Sequence, residues 1–96
     1  MIDDRTVAAA LERLALVAPA HWPTARAEVQ DGGTFLLLSV QLAATDGVKV
    51  SASERDSITR ELNAVVPPVP EQTLGSWMLV VKRGAKVEES ILPNGV

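Results

Sequence analysis

The sequence predicts an α+β domain in which two helices cover one face of a four-stranded antiparallel sheet, as a two-layer sandwich. Two observations carry this prediction. Apolar residues recur at helical spacing in two segments, and prolines follow each segment. After each helix, two strand-like stretches are separated by a glycine-containing turn. The chain therefore reads as two successive units of one helix and one hairpin, in the order αββαββ.

The first helix is predicted from Asp4 to about Ala18. Asp3 or Asp4 caps it, because a carboxylate accepts the unpaired amides of the first turn and suits the positive end of the helix dipole. Pro19 and Pro23 prevent continuation. The apolar stripe of this helix consists of Val7, Ala10, Leu11, Leu14, Val17 and Ala18.

The first hairpin is predicted from two strands around Asp31-Gly32-Gly33. Residues 25–30 alternate small or apolar with polar side chains, and the second strand runs from Thr34 to about Ala43. One face of the second strand is apolar throughout and the other only in part. The first face carries Leu36, Leu38, Val40 and Leu42, and the second carries Phe35, Leu37, Ser39 and Gln41.

The second helix begins at Ser51, which with Glu54 has the spacing of a capping box. Its apolar stripe ends at a proline-rich stretch, residues 67–70. Strands then follow at 77–82 and from Ala85 to about Leu92, joined by a turn at Arg83-Gly84. We expect a short extension at 48–50 and a loose tail at 93–96. The stripe of this helix is Ile58, Leu62, Val65 and Val66.

The chain is predicted to form one domain, residues 1–96, with approximate halves 1–45 and 46–96 that form a possible αββ repeat. The order matches a ferredoxin-like chain started one strand later, so we expect a permuted ferredoxin-like architecture. That layout places the second and fourth strands inside the sheet. The third strand is nevertheless the more apolar member of its hairpin, which is typical of an interior strand, and the strand order stays open.

Composition excludes several classes of function. The 96 residues include no cysteine, so a disulfide framework, a thiol nucleophile and a cysteine-based metal site are excluded, and the chain is compatible with a reducing cytoplasm. The longest mostly apolar stretch is too short to span a bilayer, and the N-terminus does not have the pattern of a signal peptide. With a net charge of −3, the chain is a poor candidate for nucleic-acid binding.

No residue pattern indicates catalysis, a metal site or a cofactor. His21 is the one histidine and lies in a proline-bounded connector, where a solvent-facing or locally hydrogen-bonded imidazole is the commoner state. The glycine-containing turns have neither the context nor the spacing of phosphate-binding loops. Adjacent strand residues such as Glu88 and Glu89 point to opposite faces, which makes them a poor acid–base pair. We therefore expect a protein that is not an enzyme.

The surface is the remaining candidate for function. Helices on one side of the sheet leave the other side open, and its apolar residues suggest an interface unless a loop or the tail folds across it. Clustered carboxylates add a negative region that can attract a basic partner, although arginines between them neutralise part of it. Trp77 is the best single anchor, although a core tryptophan is the default. The predicted partner-binding residues are Glu54, Asp56, Glu61, Glu71, Trp77, Glu88 and Glu89.

The αββαββ plan, the acidic balance and the closing segment GSWMLVVKRGAKVEESILP, residues 75–93, together resemble the small, acidic, cysteine-free immunity proteins of interbacterial-competition systems, including contact-dependent growth inhibition. The resemblance carries no shared motif, so no functional residue is transferred. It implies a cytoplasmic protein that binds a cognate toxin domain, often a basic nuclease, and blocks it. Such an inhibitor needs a complementary surface and no catalytic group.

Two functions are therefore expected from the sequence. The first is a non-catalytic module that neutralises a toxin domain through acidic and exposed-sheet surfaces. The alternative is a self-associating structural or adaptor domain that forms a homodimer through its open sheet face. Neither expectation includes a cofactor, a nucleic acid or a membrane.

Overall fold

The structure is a computed structural model and describes residues 2–43, 45, 47, 49–70, 72 and 75–93. It confirms the α+β class with two helices and four strands. Of the predicted extension at 48–50, the described residues Lys49 and Val50 are not in a strand, and Val48 lies outside the described residues. The elements are α1 (Asp4–Val17), β1 (Arg26–Gln30), β2 (Phe35–Leu42), α2 (Ala52–Val65), β3 (Trp77–Arg83) and β4 (Lys86–Ile91).

The sheet is mixed, and the prediction of an antiparallel sheet is wrong. Its strand order is β1-β2-β3-β4, in which the two hairpins are antiparallel and β2 runs parallel to β3. The α2 helix supplies the crossover that a parallel pair requires. The interior strands are β2 and β3, so the strand order also departs from the permuted ferredoxin-like layout. The β3 strand carries apolar side chains on both faces. An interior position suits such a strand, because the side chains of two neighbouring strands flank it on each face.

Both helices pack on one face of the sheet. The α1 side chains Ala10 and Leu14 and the α2 side chains Ile58 and Leu62 belong to the same core cluster. That cluster takes alternate residues from the interior strands, and each of them is at most 4% exposed. Burial of one large aliphatic side chain contributes roughly 1.5–3 kcal/mol, so this layer is the main source of stability. The alternate residues are Leu36, Leu38, Val40, Leu42, Trp77, Leu79 and Val81.

The two helices are equivalent at a sequence offset of 48, which bears on the possible αββ repeat. Each helix has 14 residues, and Asp4–Val17 shifted by this offset gives Ala52–Val65. The buried pairs Ala10 and Leu14 become Ile58 and Leu62. The sheet does not follow the same relation, since β2 is interior whereas the corresponding β4 lies at an edge.

Side-chain caps begin both helices. In α1, the Asp3 Oδ1 accepts from the Thr6 amide and the Thr6 hydroxyl, each at 2.9 Å. In α2, Ser51 and Glu54 form the predicted capping box, with distances of 3.0 and 3.1 Å. Hydrogen bonds from the Thr6 amide and then its hydroxyl lower the pKa of Asp3 below its ordinary 3.8. The corresponding bonds from Ser51 lower the pKa of Glu54 below 4.5.

These caps predict a loss of stability in acid. A carboxyl with a lowered folded-state pKa stabilises the fold fully above its unfolded-state pKa, and this contribution disappears as pH falls through the folded-state value. Glu54→Gln keeps an acceptor but removes the titration. We therefore expect the melting temperature of this variant to fall less than that of the parent between about pH 5 and pH 3. Glu12→Gln, at an exposed position of α1, is the control. An equal fall of the melting temperature with pH in all three proteins would contradict the prediction.

The residues after β4 are tied to the C-terminal part of α2. The Pro93 carbonyl accepts from Asn63 Nδ2 at 3.0 Å, and Asn63 Oδ1 accepts from the Trp77 indole at 2.9 Å. The Ser76 hydroxyl donates to the Pro67 carbonyl at 2.8 Å. Pro93 therefore packs against the domain, whereas residues 94–96 of the predicted tail lie outside the described residues.

Candidate interaction surface

No element among the described residues covers the face of the sheet opposite the helices. We call it the open face. Its side chains alternate with those of the core along each strand, as the registers Leu37↔Met78 and Ser39↔Val80 show. The open face comprises Arg26, Glu28, Gln30, Phe35, Leu37, Ser39, Gln41, Met78, Val80, Lys82, Val87 and Ser90.

Four apolar side chains lie together on the two interior strands, and we call them the open-face patch: Phe35, Leu37, Met78 and Val80. The first three are half-buried and Val80 is 8% exposed, although none of the four belongs to the core cluster. In the 67–76 loop, Gln72 Nε2 donates to Asp31 Oδ2 and to Thr34 Oγ1, each at 3.0 Å. The patch is therefore partly accessible to solvent through Phe35, Leu37 and Met78, and an accessible apolar cluster on a sheet face is a candidate interface.

A polar recess adjoins the open-face patch. Ser39 and Gln41 of β2 lie between Arg26 of β1 and Lys82 of β3, and the recess has a volume of about 470 Å³. Neither cation forms an ion pair with another described residue. The open face thus combines an apolar centre with a polar end that carries two positive charges.

The predicted acidic residues of α2 have different environments. Glu54 closes the capping box and is half-buried. Asp56 is exposed and makes no hydrogen bond or ion pair with another described residue. Glu61 accepts from Arg13 Nη1 of α1 at 3.2 Å, which links the two helices. Asp56 is thus the member of this group that stays available to a partner.

The two predicted glutamates of β4 are both paired with arginines. Glu88 accepts from Arg83 Nε at 3.1 Å, and Glu89 accepts from Arg55 of α2. A register shift opposite Val81 and Lys82 interrupts the regular alternation of β4 at this point. These half-buried pairs use the carboxylates to attach β4 to its neighbours, so the acidic surface is smaller than the sequence suggests.

Trp77, a further predicted residue, is not on the candidate surface. Trp77 is 1% exposed and belongs to the core, so the prediction that it anchors a partner is corrected. Its orientation follows from its register with Leu36, since both side chains point towards the helices. Glu71 lies outside the described residues.

His21 is held by a local contact. Its Nε2 lies 3.0 Å from the Gly47 carbonyl, and its side chain is exposed. Over the part of the chain that the structure describes, no group of three or more histidine, aspartate or glutamate side chains is arranged to hold a metal ion. The helices found there do not reach the length and apolar character needed to cross a membrane.

The residues of the polar recess were missed by reasoning from the sequence. Arg26 and Lys82 are far apart in the chain. They line one recess because β1, β2 and β3 are neighbours in this order. The residue pattern within a single strand does not indicate that polar residues of three strands line one recess. The alternation of β2, by contrast, did predict Phe35 and Leu37 on the open face.

Comparisons with protein-family models, with curated proteins and with solved structures found no match.

Proposed function

We propose that this chain is a non-catalytic protein-binding module that binds a partner through its open face. The observation that carries the proposal is the open-face patch, which places four apolar side chains on a sheet surface without a described covering element. Burial of such a patch in a complex contributes about 25 cal/mol for each Å² of apolar area. The partner surface opposite it is accordingly apolar.

The partner in this proposal is a cognate toxin domain that the chain neutralises in the cytoplasm. The class of partner comes from the resemblance to immunity proteins described above. The fold supports it in one respect, because a sheet backed by two helices presents a preorganised surface and binding then requires little ordering. Inhibition by such a surface requires no catalytic residue.

Charge has a smaller part in the proposed complex than the net charge suggests. Glu61, Glu88 and Glu89 already pair with arginines of the chain, so their attraction for a basic nuclease is reduced. Arg26 and Lys82 instead favour carboxylates on the partner beside the apolar contact. We therefore expect salt to weaken the complex modestly.

Self-association is the second candidate, and one feature of the open face favours it. Arg26 and Glu28 project from the same face of the edge strand β1. A two-fold axis between two open faces can therefore place Arg26 of each copy opposite Glu28 of the other. A homodimer formed in this way buries the open-face patch of both copies. Sedimentation of the isolated chain distinguishes a dimer from a monomer.

The proposed function is tested by coexpression with the product of the reading frame directly upstream of this chain's gene, as the candidate toxin. We expect the chain to restore growth and to form a complex with the toxin domain, and Leu37→Asp to prevent both. The matched control is Leu16→Asp, because Leu16 is 71% exposed on α1, in the other layer of the sandwich. This control should protect as well as the parent.

The outcomes separate the possible partners. Loss of binding by Leu37→Asp alone, with both variants folded, supports the open face as the binding surface. Equal binding by both variants contradicts it. An isolated chain that sediments as a dimer, and as a monomer after Leu37→Asp, supports self-association instead of a toxin partner.

A further inference from the structure

A cavity that is partly open to solvent lies between α1 and the connector that follows it, on the helix side of the sheet. Its volume is about 180 Å³, and its walls come from α1, from the 18–25 connector and from one residue of β2. The connector is held in place, since the Trp22 amide donates to the Pro19 carbonyl at 3.0 Å. Its lining residues include Leu11, Leu14, Ala18, Trp22 and Val40.

Trp22 forms part of this wall and has an unsatisfied hydrogen-bond donor. Its side chain is 9% exposed, and its indole nitrogen is buried without an acceptor among the described residues. Trp77 differs in this respect, because its indole donates to Asn63 at 2.9 Å. Buried donors in native proteins nearly always have a partner, so a donor without one calls for an explanation.

We propose that this cavity binds a small uncharged molecule that is mainly apolar and carries one hydrogen-bond acceptor, such as an aryl ketone. A cavity of about 150 Å³ lined by aliphatic and aromatic side chains holds benzene, so the volume suits a substituted ring. None of the described residues that line the cavity is charged, so a charged ligand finds no partner there. The acceptor supplies the partner that the Trp22 indole does not have among the described residues.

The cavity is distinct from the open-face patch, although Pro23 and Thr24 line both the cavity and the polar recess. Val40 points towards the helices, whereas the open face lies on the opposite side of β2. Occupancy of the cavity therefore leaves the open-face patch accessible. A failure of either proposal has no consequence for the other.

The experiment uses acetophenone as the probe and isopropylbenzene as its match, because the two have similar shapes and only the ketone carries an acceptor. Each is titrated into the labelled full chain while the two indole signals are followed in a nitrogen–proton correlation spectrum. Trp22→Phe assigns the signals. We expect acetophenone to move the Trp22 indole proton downfield in a saturable manner, as a new hydrogen bond does, and to leave the Trp77 signal in place.

Affinities measured on the variant complete the test. We expect Trp22→Phe to weaken acetophenone about fivefold to tenfold more than isopropylbenzene, since only the ketone loses a hydrogen bond. Ala18→Leu fills the cavity and should weaken both compounds, with the Trp77 signal reporting that the protein stays folded. A Trp22 signal that does not respond to acetophenone, or an equal effect of Trp22→Phe on both compounds, would overturn the proposal.

Discussion

Leu38→Ala is expected to destabilise the domain by about 3 kcal/mol, because it removes a fully buried side chain from an interior strand. Leu38 is 0% exposed, lies on β2 between Ala27 and Leu79, and faces both helices. The strands and helices around it cannot collapse into the space that the substitution leaves. For a domain of this size, such a loss of stability lowers the melting temperature by about 12 °C or more. Urea titration followed by tryptophan fluorescence measures the change.

Leu37→Ala is the matched control, since it makes the same substitution one residue away on the opposite face. Leu37 is half-buried in the open-face patch and is not in the core cluster. We expect its cost to be about 1 kcal/mol or less, because the side chain already contacts solvent. Equal costs at the two positions, or a larger cost at Leu37, would contradict the assignment of the two faces.

The elements of this fold were predictable from local signals. The Ser51 and Glu54 capping box marks the start of α2, and the prolines after each helix mark the ends. Both hairpins follow from glycine-containing turns between strand-like segments. Each of these signals depends on neighbours in sequence, where the physical cause and the structural effect lie within a few residues. Boundaries placed in this way agree with the structure to within one or two residues.

The sheet topology was not predictable in the same way. Whether β3 runs parallel or antiparallel to β2 depends on how α2 crosses the sheet, and no residue within β2 or β3 specifies that path. The apolar character of Trp77–Val81 was the available signal, and it correctly indicated an interior strand. This signal left the strand order open, because an interior strand can run parallel or antiparallel to its neighbour.

The candidate surface shows the same division. Alternation along β2 predicted that Phe35 and Leu37 share the open face, because the period of a strand is a local property. The charge pattern was misleading, since Arg55 neutralises Glu89 from a different element. Pairing of this kind joins residues that are 34 positions apart, and it becomes visible only when the sheet order and the helix layer are known.

Gly75→Ala is expected to cost about 3 kcal/mol, the second large effect that the structure predicts. Gly75 has a φ of +116°, which side chains rarely adopt, and a Cβ there would lie 2.4 Å from Cγ of Pro93. The proline ring is rigid, and its carbonyl is held by Asn63. The chain must therefore shift next to Trp77, which disturbs the core. The change is measured as the difference in the urea midpoint at constant slope.

Gly84→Ala gives a lower reference for the cost of a side chain at positive φ, because the φ of Gly84 lies in the left-handed region whereas that of Gly75 is larger. Gly84 has a φ of +62° and no heavy atom within 4 Å of the added Cβ, so its substitution brings backbone strain alone and costs about 1 kcal/mol. A double-mutant cycle with Pro93→Gly then tests the steric cause. We expect Gly75→Ala to cost less when the proline ring is absent, since the added methyl group then has space. Equal costs for Gly75→Ala in the two backgrounds would show that the backbone conformation alone excludes a side chain at this position. The contact between Pro93 and Gly75 would then contribute nothing to the cost of the substitution.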